Sequence, residues 1–323
     1  MISLPIIRVV ALIALAAGGC ATNNVRRDQA STAEARAVEF LKQEVPAWSR
    51  DNGCFSCHNN GDAARALYAA KRGGYHVPQE VLADTTRWVS QPERWAHNKG
   101  DPGFSDQRLA DVQFAASLAA AVESGAVKDT RAMNAAASKV ALAQAGDGSW
   151  PIDAANSVGS PATYGSVLAT YMAWDSLKRA PSPETSVAIQ KAEERLKAIK
   201  ADNIPNASVL LLFVSGNREA ATGEGISTSL DFLRRAQTSD GGWGPYADSP
   251  PEAFDSALAL LALAEFRTER MVPEMIQRGR GFLLATQLAD GSWPATTRPS
   301  GGRSYAQQIS TTSWATLALL AMR

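Results

Sequence analysis

A short motif that occurs three times constrains the fold of this chain more than any other feature. Its pattern is Gln-x-x-Asp-Gly-(Ser/Gly)-Trp, and its copies end at Trp150, Trp243 and Trp293. The second and third tryptophans are 50 positions apart, and the first two are 93 apart, close to twice that spacing. Periods of about 20 to 50 residues are typical of repeat architectures. We therefore predict units of about 50 residues, one of which has lost the motif.

Each residue type in this motif has a structural role that its chemistry predicts. The glutamine stands at the end of a helix-like segment, where its amide can hydrogen-bond exposed backbone groups of a neighbouring repeat. The Asp-Gly pair favours a tight turn in which glycine adopts a positive φ. The tryptophan can then stack over the glutamine and cover the junction. The alternative is that Trp150, Trp243 or Trp293 lines a substrate cavity.

The segments before and after each motif have different helical patterns. After the second motif, Phe254, Leu258, Leu261 and Ala262 have helical spacing, and alanine occupies most other positions. Such a helix should be buried on all sides. The segment before the motif, 228–237, is apolar on one side only. This difference predicts an outer helix paired with an inner one.

The same pattern predicts six helical pairs between residues 32 and 323. The outer helices are expected near 32–49, 78–95, 129–145, 184–200, 226–238 and 273–287. The inner helices are expected near 61–73, 105–124, 161–179, 205–215, 252–267 and 305–322. No segment has the alternation that is typical of strands. The predicted fold is all-α, a single (α/α)6 toroid of six helical hairpins.

The three motifs resemble the QW repeats of the terpenoid cyclase and protein prenyltransferase superfamily, of which squalene–hopene cyclase is typical. The resemblance covers most of residues 79–323 and implies an α/α toroid with an apolar or isoprenoid ligand. The segment 48–67 is also similar to exported bacterial squalene-cyclase-like proteins that carry Cys-x-x-Cys-His near the N-terminus.

The catalytic groups that this resemblance would imply are not found in the sequence. A squalene cyclase needs a protonated acid in an Asp-x-Asp-Asp motif, whereas Asp153, Asp248 and Asp255 stand alone. A prenyltransferase needs a zinc site of Asp, Cys and His, but Cys54 and Cys57 lie at the wrong end of the chain. Whether this chain is an enzyme therefore stays open, because a fold alone does not establish an activity.

The segment Cys54-Phe-Ser-Cys57-His58 has the spacing of a c-type haem attachment site. Each thiol can add to one haem vinyl group, and the His58 imidazole can bind the iron as proximal ligand. The predicted cofactor is haem c on Cys54 and Cys57. The alternatives are a disulfide between the two cysteines and a zinc site.

The chain has only three histidines, so the candidates for the sixth iron ligand are few. If helices alternate, all outer-to-inner loops lie at one end of the toroid. His97 falls in such a loop, on the same rim as His58, whereas His76 should lie at the opposite end. His97 is therefore the predicted distal ligand, and the alternative is a solvated loop residue.

Residues 1–19 are interpreted as a lipoprotein signal peptide, because a short apolar run at 9–17 precedes small residues and Cys20. This arrangement resembles a bacterial lipobox, which implies lipid on Cys20, and residues 20–31 are predicted to be a tether. The alternative is an ordinary signal peptide. The predicted location is the periplasmic side of the cell envelope.

The zero formal charge and the lack of a basic cluster exclude a nucleic-acid partner.

Three functions follow from these features. The first is a lipid-anchored haem-c protein that transfers electrons to a redox partner or senses redox state. The second is a toroid that binds or modifies an isoprenoid or other apolar ligand, with Cys54 and Cys57 as a structural disulfide. The third is a structural or interaction module of the envelope.

Overall fold

Helices account for the regular structure in the part of the chain that the structure describes. The computed structural model describes residues 32–98, 106–152, 158–217, 223–298 and 301–323. These ranges contain twelve α-helices, one π-helix and one 3-10 helix, and no strand among the described residues. The all-α prediction is confirmed. The signal peptide, Cys20 and the tether lie outside the described residues, and no helix within them is long and apolar enough to cross a membrane.

The helices fall at the positions of the six predicted pairs. The outer helices are α1 (Ala33–Asn52), α3 (Gln79–Val89), α5 (Arg131–Leu142), α7 (Pro183–Lys197), α9 (Gly223–Ala236) and α11 (Val272–Thr286). The inner helices are α2 (Ala64–Arg72), α4 (Gln107–Glu123), α6 (Gly165–Lys178), α8 (Ile204–Gly216), α10 (Ala253–Ala264) and α12 (Tyr305–Ala321). The π-helix (Cys57–Ala63) leads directly into α2, and the 3-10 helix (Pro92–His97) follows α3.

Burial separates the inner helices from the outer ones as their sequences predict. In α10 nearly every residue from Ala253 to Leu263 is buried, whereas α9 buries only Ser229, Leu233 and Ala236. Full burial of one leucine or phenylalanine side chain contributes about 1.5–3 kcal/mol. The apolar surface of the inner helices therefore supplies most of the driving force for forming the ring.

The last helical pair contacts the first, which closes the ring. The Gln287 side chain donates a hydrogen bond to the Ala33 carbonyl at 2.8 Å, and Arg280 pairs with the buried Glu34 at 3.0 Å. Helix α12 also packs against α1, α2, α10 and the π-helix. The toroid prediction is confirmed by these contacts.

The three repeated motifs join neighbouring repeats as predicted. In each motif the glutamine amide donates to the glycine carbonyl of its own turn and to a carbonyl near the start of the next outer helix. The indole N–H of Trp150, Trp243 and Trp293 donates to a carbonyl of the preceding outer helix at 2.8–2.9 Å. All three tryptophans are fully buried. These hydrogen bonds and this burial support a stabilising role for the three tryptophans rather than a place in the wall of a substrate cavity.

Two helix boundaries differ from the prediction, each for a local reason. The first inner helix is expected from about residue 61, but Cys57 and His58 already lie in the first turn of the π-helix that leads into it. The helix begins there because the Ser56 hydroxyl accepts a hydrogen bond from the Asn59 backbone at 3.0 Å and caps it. The outer helix expected over 78–95 is divided, because Pro92 lacks the N–H that would continue α3.

Candidate functional site

The two cysteines lie where α1 gives way to the π-helix. Cys54 is buried and Cys57 is half-buried, and the two thiols are not linked to each other. Burial raises the pKa of Cys57 to about 12, and the nearby Asp62 charge raises it further in the same direction. The Cys57 thiol is therefore protonated at neutral pH.

His58 lies against the edges of two aromatic rings. Its ring centroid is 4.8 Å from that of Trp48 and 5.7 Å from that of Tyr305, and these two rings stack on each other at 5.6 Å. The Nε2 atom of His58 is buried and has no hydrogen-bond partner among the described residues. Burial lowers the pKa of His58 to about 4, so its imidazole is neutral at pH 7.

These features fit the donor chemistry of a haem attachment site. A proximal ligand must be a neutral imidazole nitrogen with a free lone pair. The His58 imidazole is neutral, and no hydrogen bond from the described residues competes for its Nε2 atom. The indole N–H of Trp48 is also buried without a partner in the described part of the chain. It could donate to a haem propionate.

For zinc, the described residues contain no group of three or more His, Cys, Asp and Glu side chains placed to hold an ion.

His97 is exposed at the end of the 3-10 helix. Its neighbour Asn98 accepts a hydrogen bond from the Phe55 backbone N–H at 3.0 Å and donates to the Phe55 carbonyl. The chain around His97 therefore lies beside the cysteine segment, as predicted for residues on one rim. His76 follows α2 and is exposed, so it stands at the other end of that inner helix from His58.

Sequence reasoning missed a buried polar cluster centred on Asp62, which lies on the π-helix. Tyr164 donates a hydrogen bond to one carboxylate oxygen, and Ser310 and Gln113 donate to the other at 2.8 and 3.0 Å. Burial raises the pKa of Asp62 to about 6, and the Arg65 guanidinium 3.9 Å away opposes that shift. The available signal was Gln113, an amide between the apolar residues Val112 and Phe114 of α4.

A second buried acid, Asp255, stands at the start of α10. Asp255 stands alone in the sequence, but in the structure it pairs with Arg298 at 2.7 Å. Arg298 also pairs with Glu252 at 2.6 Å and donates to the Gly159 carbonyl at 2.9 Å. This cluster joins loops of three repeats at the same end as the motif turns.

A cavity of about 210 Å³ lies on the axis of the ring, and all six inner helices contribute to its wall. We call it the central cavity and define it by one residue from each of these helices: Arg65, Ala116, Tyr171, Leu212, Leu261 and Trp314. Most of these residues lie in the second halves of their helices, so the cavity is nearer the end opposite the motif turns. It is smaller than the 300–1,000 Å³ typical of pockets for drug-sized ligands.

No protein-family model matches the sequence, and neither does any curated protein. Solved structures do match over nearly the whole chain. The type II terpene cyclase MstE from Scytonema is 14% identical with a TM-score of 0.57, and the match covers 91% of this chain and 97% of that one. A heparin-specific unsaturated glucuronyl hydrolase is 10% identical with a TM-score of 0.61, covering 91% and 96%. A polysaccharide lyase is 12% identical with a TM-score of 0.58, covering 90% and 97%.

At these identities the likeness extends to the fold and not to the chemistry. The matched enzymes act on different classes of substrate, so an α/α ring is what they have in common with this protein. The chain therefore has the α/α-toroid fold that these enzymes share.

Proposed function

We propose that this protein is an exported, lipid-anchored α/α toroid that carries a covalently attached c-type haem and works in electron transfer or redox sensing. The observation that carries the proposal is the buried, unpartnered Nε2 atom of His58, directly after two unlinked cysteines with the attachment spacing. In the proposed site Cys54 and Cys57 hold the haem and His58 binds its iron. The haem would supply reversible one-electron chemistry.

The surroundings of His58 support this role because they are aromatic. Trp48 and Tyr305 flank its ring, and Phe55 stacks on Trp88 at 4.6 Å between centroids. Such side chains exclude water from an iron centre, which is one way in which proteins set a haem potential. His97 would be the second protein ligand to the iron, because its neighbour Asn98 is hydrogen-bonded to Phe55.

The test is expression of the full chain, with its signal peptide, in a bacterium that has c-type haem maturation. We expect a sharp α band on reduction and, by mass spectrometry, one haem attached to the peptide that contains Cys54 and Cys57. Cys54→Ser with Cys57→Ser should lose the haem, whereas His97→Ala should keep it and change the spectrum. A Cys54–Cys57 disulfide and no haem in protein from the native host would overturn the proposal.

The envelope location is tested by the same preparation. Lipid on Cys20 should place the protein in the membrane fraction, and Cys20→Ser should release it in soluble form with its haem retained. A wild-type protein that is already soluble and unlipidated would contradict the anchor, though not the haem site.

A ligand-binding role for the centre of the toroid is the second candidate function, and the central cavity is the observation that favours it. The cavity is too small to enclose a long isoprenoid chain. An isoprenoid would therefore have to extend beyond the cavity.

A further inference from the structure

The central cavity combines an apolar wall with a buried cation. Ala116, Leu212, Leu261 and Leu317 are among the residues that line it. The cation is Arg65, which is only 9% exposed and lies on the face of Trp314, 4.2 Å from the ring centroid. A charged group at this depth is costly unless it is paired.

The pairing of Arg65 is incomplete. Its Nε and Nη2 atoms are buried and have no hydrogen-bond partner among the described residues, and its Nη1 atom contacts only the Met172 sulfur, at 3.5 Å. The closest carboxylate, Asp62, is 3.9 Å away, beyond hydrogen-bond distance. That carboxylate already accepts hydrogen bonds from three other side chains. Arg65 therefore retains capacity to bind an anion.

The outer part of the cavity wall adds further positive charge. Arg72 and Arg179 both lie there and share the single carboxylate of Glu123. Asp175 pairs with Arg179 at 3.1 Å, and burial raises the pKa of Asp175 to about 6. The lining thus holds three arginines and two carboxylates, and the Asp62 carboxylate near Arg65 is not part of it. A ligand with one negative charge therefore fits this lining.

A groove lined mainly by apolar residues, with Arg72 and Arg323 also in its wall, continues from the cavity toward solvent. This vestibule is a surface hollow of about 570 Å³ that shares Ala69, Arg72, Leu261 and Leu317 with the cavity. Leu320 extends its apolar wall. A hydrocarbon chain that starts beside Arg65 could follow these leucines outward, whereas a compact inorganic anion would leave them uncovered.

We propose that the central cavity binds a single-chain organic carboxylate, with its carboxylate on the Arg65 guanidinium and its hydrocarbon chain along the leucines toward the vestibule. The site is separate from the cysteine segment, because Arg65 lies on α2, seven residues after His58, and the cavity lies nearer the other end of the ring. The proposal therefore stands or fails independently of haem attachment.

The probe is octanoate, titrated by calorimetry into the full chain carrying Cys20→Ser, which removes the need for detergent. We expect saturable binding of one octanoate per chain. Octanol has the same chain without the charge, and inorganic phosphate has charge without the chain. Each should bind at least tenfold more weakly, since each lacks one of the two contacts.

Two variants locate the site and one controls for surface charge. Arg65→Met should weaken octanoate binding at least tenfold. Ala120→Phe, which projects a ring into the cavity from α4, should do the same with Arg65 intact, so the test survives if the first variant misfolds. Arg87→Met removes an exposed arginine from α3 and should leave the affinity unchanged.

Three results would overturn the proposal: no saturable octanoate binding by the wild type, equal affinities for octanoate and octanol, or unchanged affinity in folded Arg65→Met and Ala120→Phe. Equal affinity for phosphate would show an anion site without a chain site, which also contradicts it.

Discussion

At the scale of single residues, the glycines of the repeated motifs meet two constraints at once. Gly148, Gly241 and Gly291 have φ values of 85°, 90° and 91°, which side-chain-bearing residues rarely adopt. A Cβ atom at Gly241 would also lie 2.5 Å from the carbonyl oxygen of Arg278 on the next outer helix. The turn could be predicted from Asp-Gly, but the close approach of the next helix could not.

Replacing Gly241 with alanine should therefore destabilise the protein through the close contact as well as through backbone strain. We expect Gly241→Ala to lower the free energy of unfolding by roughly 2–4 kcal/mol, since strain and overpacking add. Gly125 is the matched control, with φ 73° and no atom within 4 Å of an added Cβ. Gly125→Ala should cost only about 1 kcal/mol. Urea unfolding measures both, and equal losses would contradict the contact argument.

His58 predicts a pH dependence of stability. Its pKa falls from 6.5 to about 4 on burial, so the unfolded chain binds a proton that the folded chain does not. The resulting stability is fully present above about pH 6.5 and is lost as the pH falls toward 4. Relative to His58→Gln, the haem-free wild type should lose at most about 1.4 kcal/mol per pH unit across this window. Parallel stability curves for the two proteins would show that the imidazole is not buried.

At the scale of elements, the glutamines connect helices that are distant in sequence. Gln237, at the end of α9, donates to Gly241 in its own turn and to Met275 on α11, at 2.7 and 2.9 Å. The first of these carbonyls lies in the turn and the second lies in the first turn of α11. One amide thus orients both a turn and the neighbouring outer helix.

Substituting Gln237 by leucine should leave both of these carbonyl groups without their amide donor. The expected loss is about 1–3 kcal/mol in the free energy of unfolding, because part-buried polar groups lose their partner. Gln190→Leu on the exposed face of α7 is the control, and its effect should stay within about 0.5 kcal/mol. If both substitutions had the same small effect, the motif glutamine would not be a structural link.

At the scale of the whole molecule, ring closure depends on residues 254 positions apart. Gln287 binds Ala33 with the same geometry that Gln237 uses toward Met275. The first and last outer helices, α1 and α11, are thereby part of one continuous wall around the inner helices. A closed ring of this kind should unfold as a single cooperative unit.

Gln287→Leu tests that cooperativity. The substitution should lower the free energy of unfolding as much as Gln237→Leu does, by about 1–3 kcal/mol. Unfolding should remain a single transition with a shifted midpoint. Hydrogen exchange should then increase across all helices together. The opposite result would be that only α1 loses protection from hydrogen exchange while the midpoint of global unfolding does not change. In that case α1 unfolds separately, and its contact with α11 does not make the ring one cooperative unit.

The helical repeats, their pairing and the turn chemistry could be predicted from the sequence, because these depend on local periodicity and on glycine, glutamine and tryptophan at set spacing. It also identified Cys54, Cys57 and His58 as a unit, since that motif is contiguous. Only the tertiary structure decided what meets at the axis. Asp62, Gln113, Tyr164 and Ser310 come from separate inner elements, and no local pattern shows that they converge. The same holds for the incompletely paired Arg65, because burial and partners depend on how six inner helices pack together.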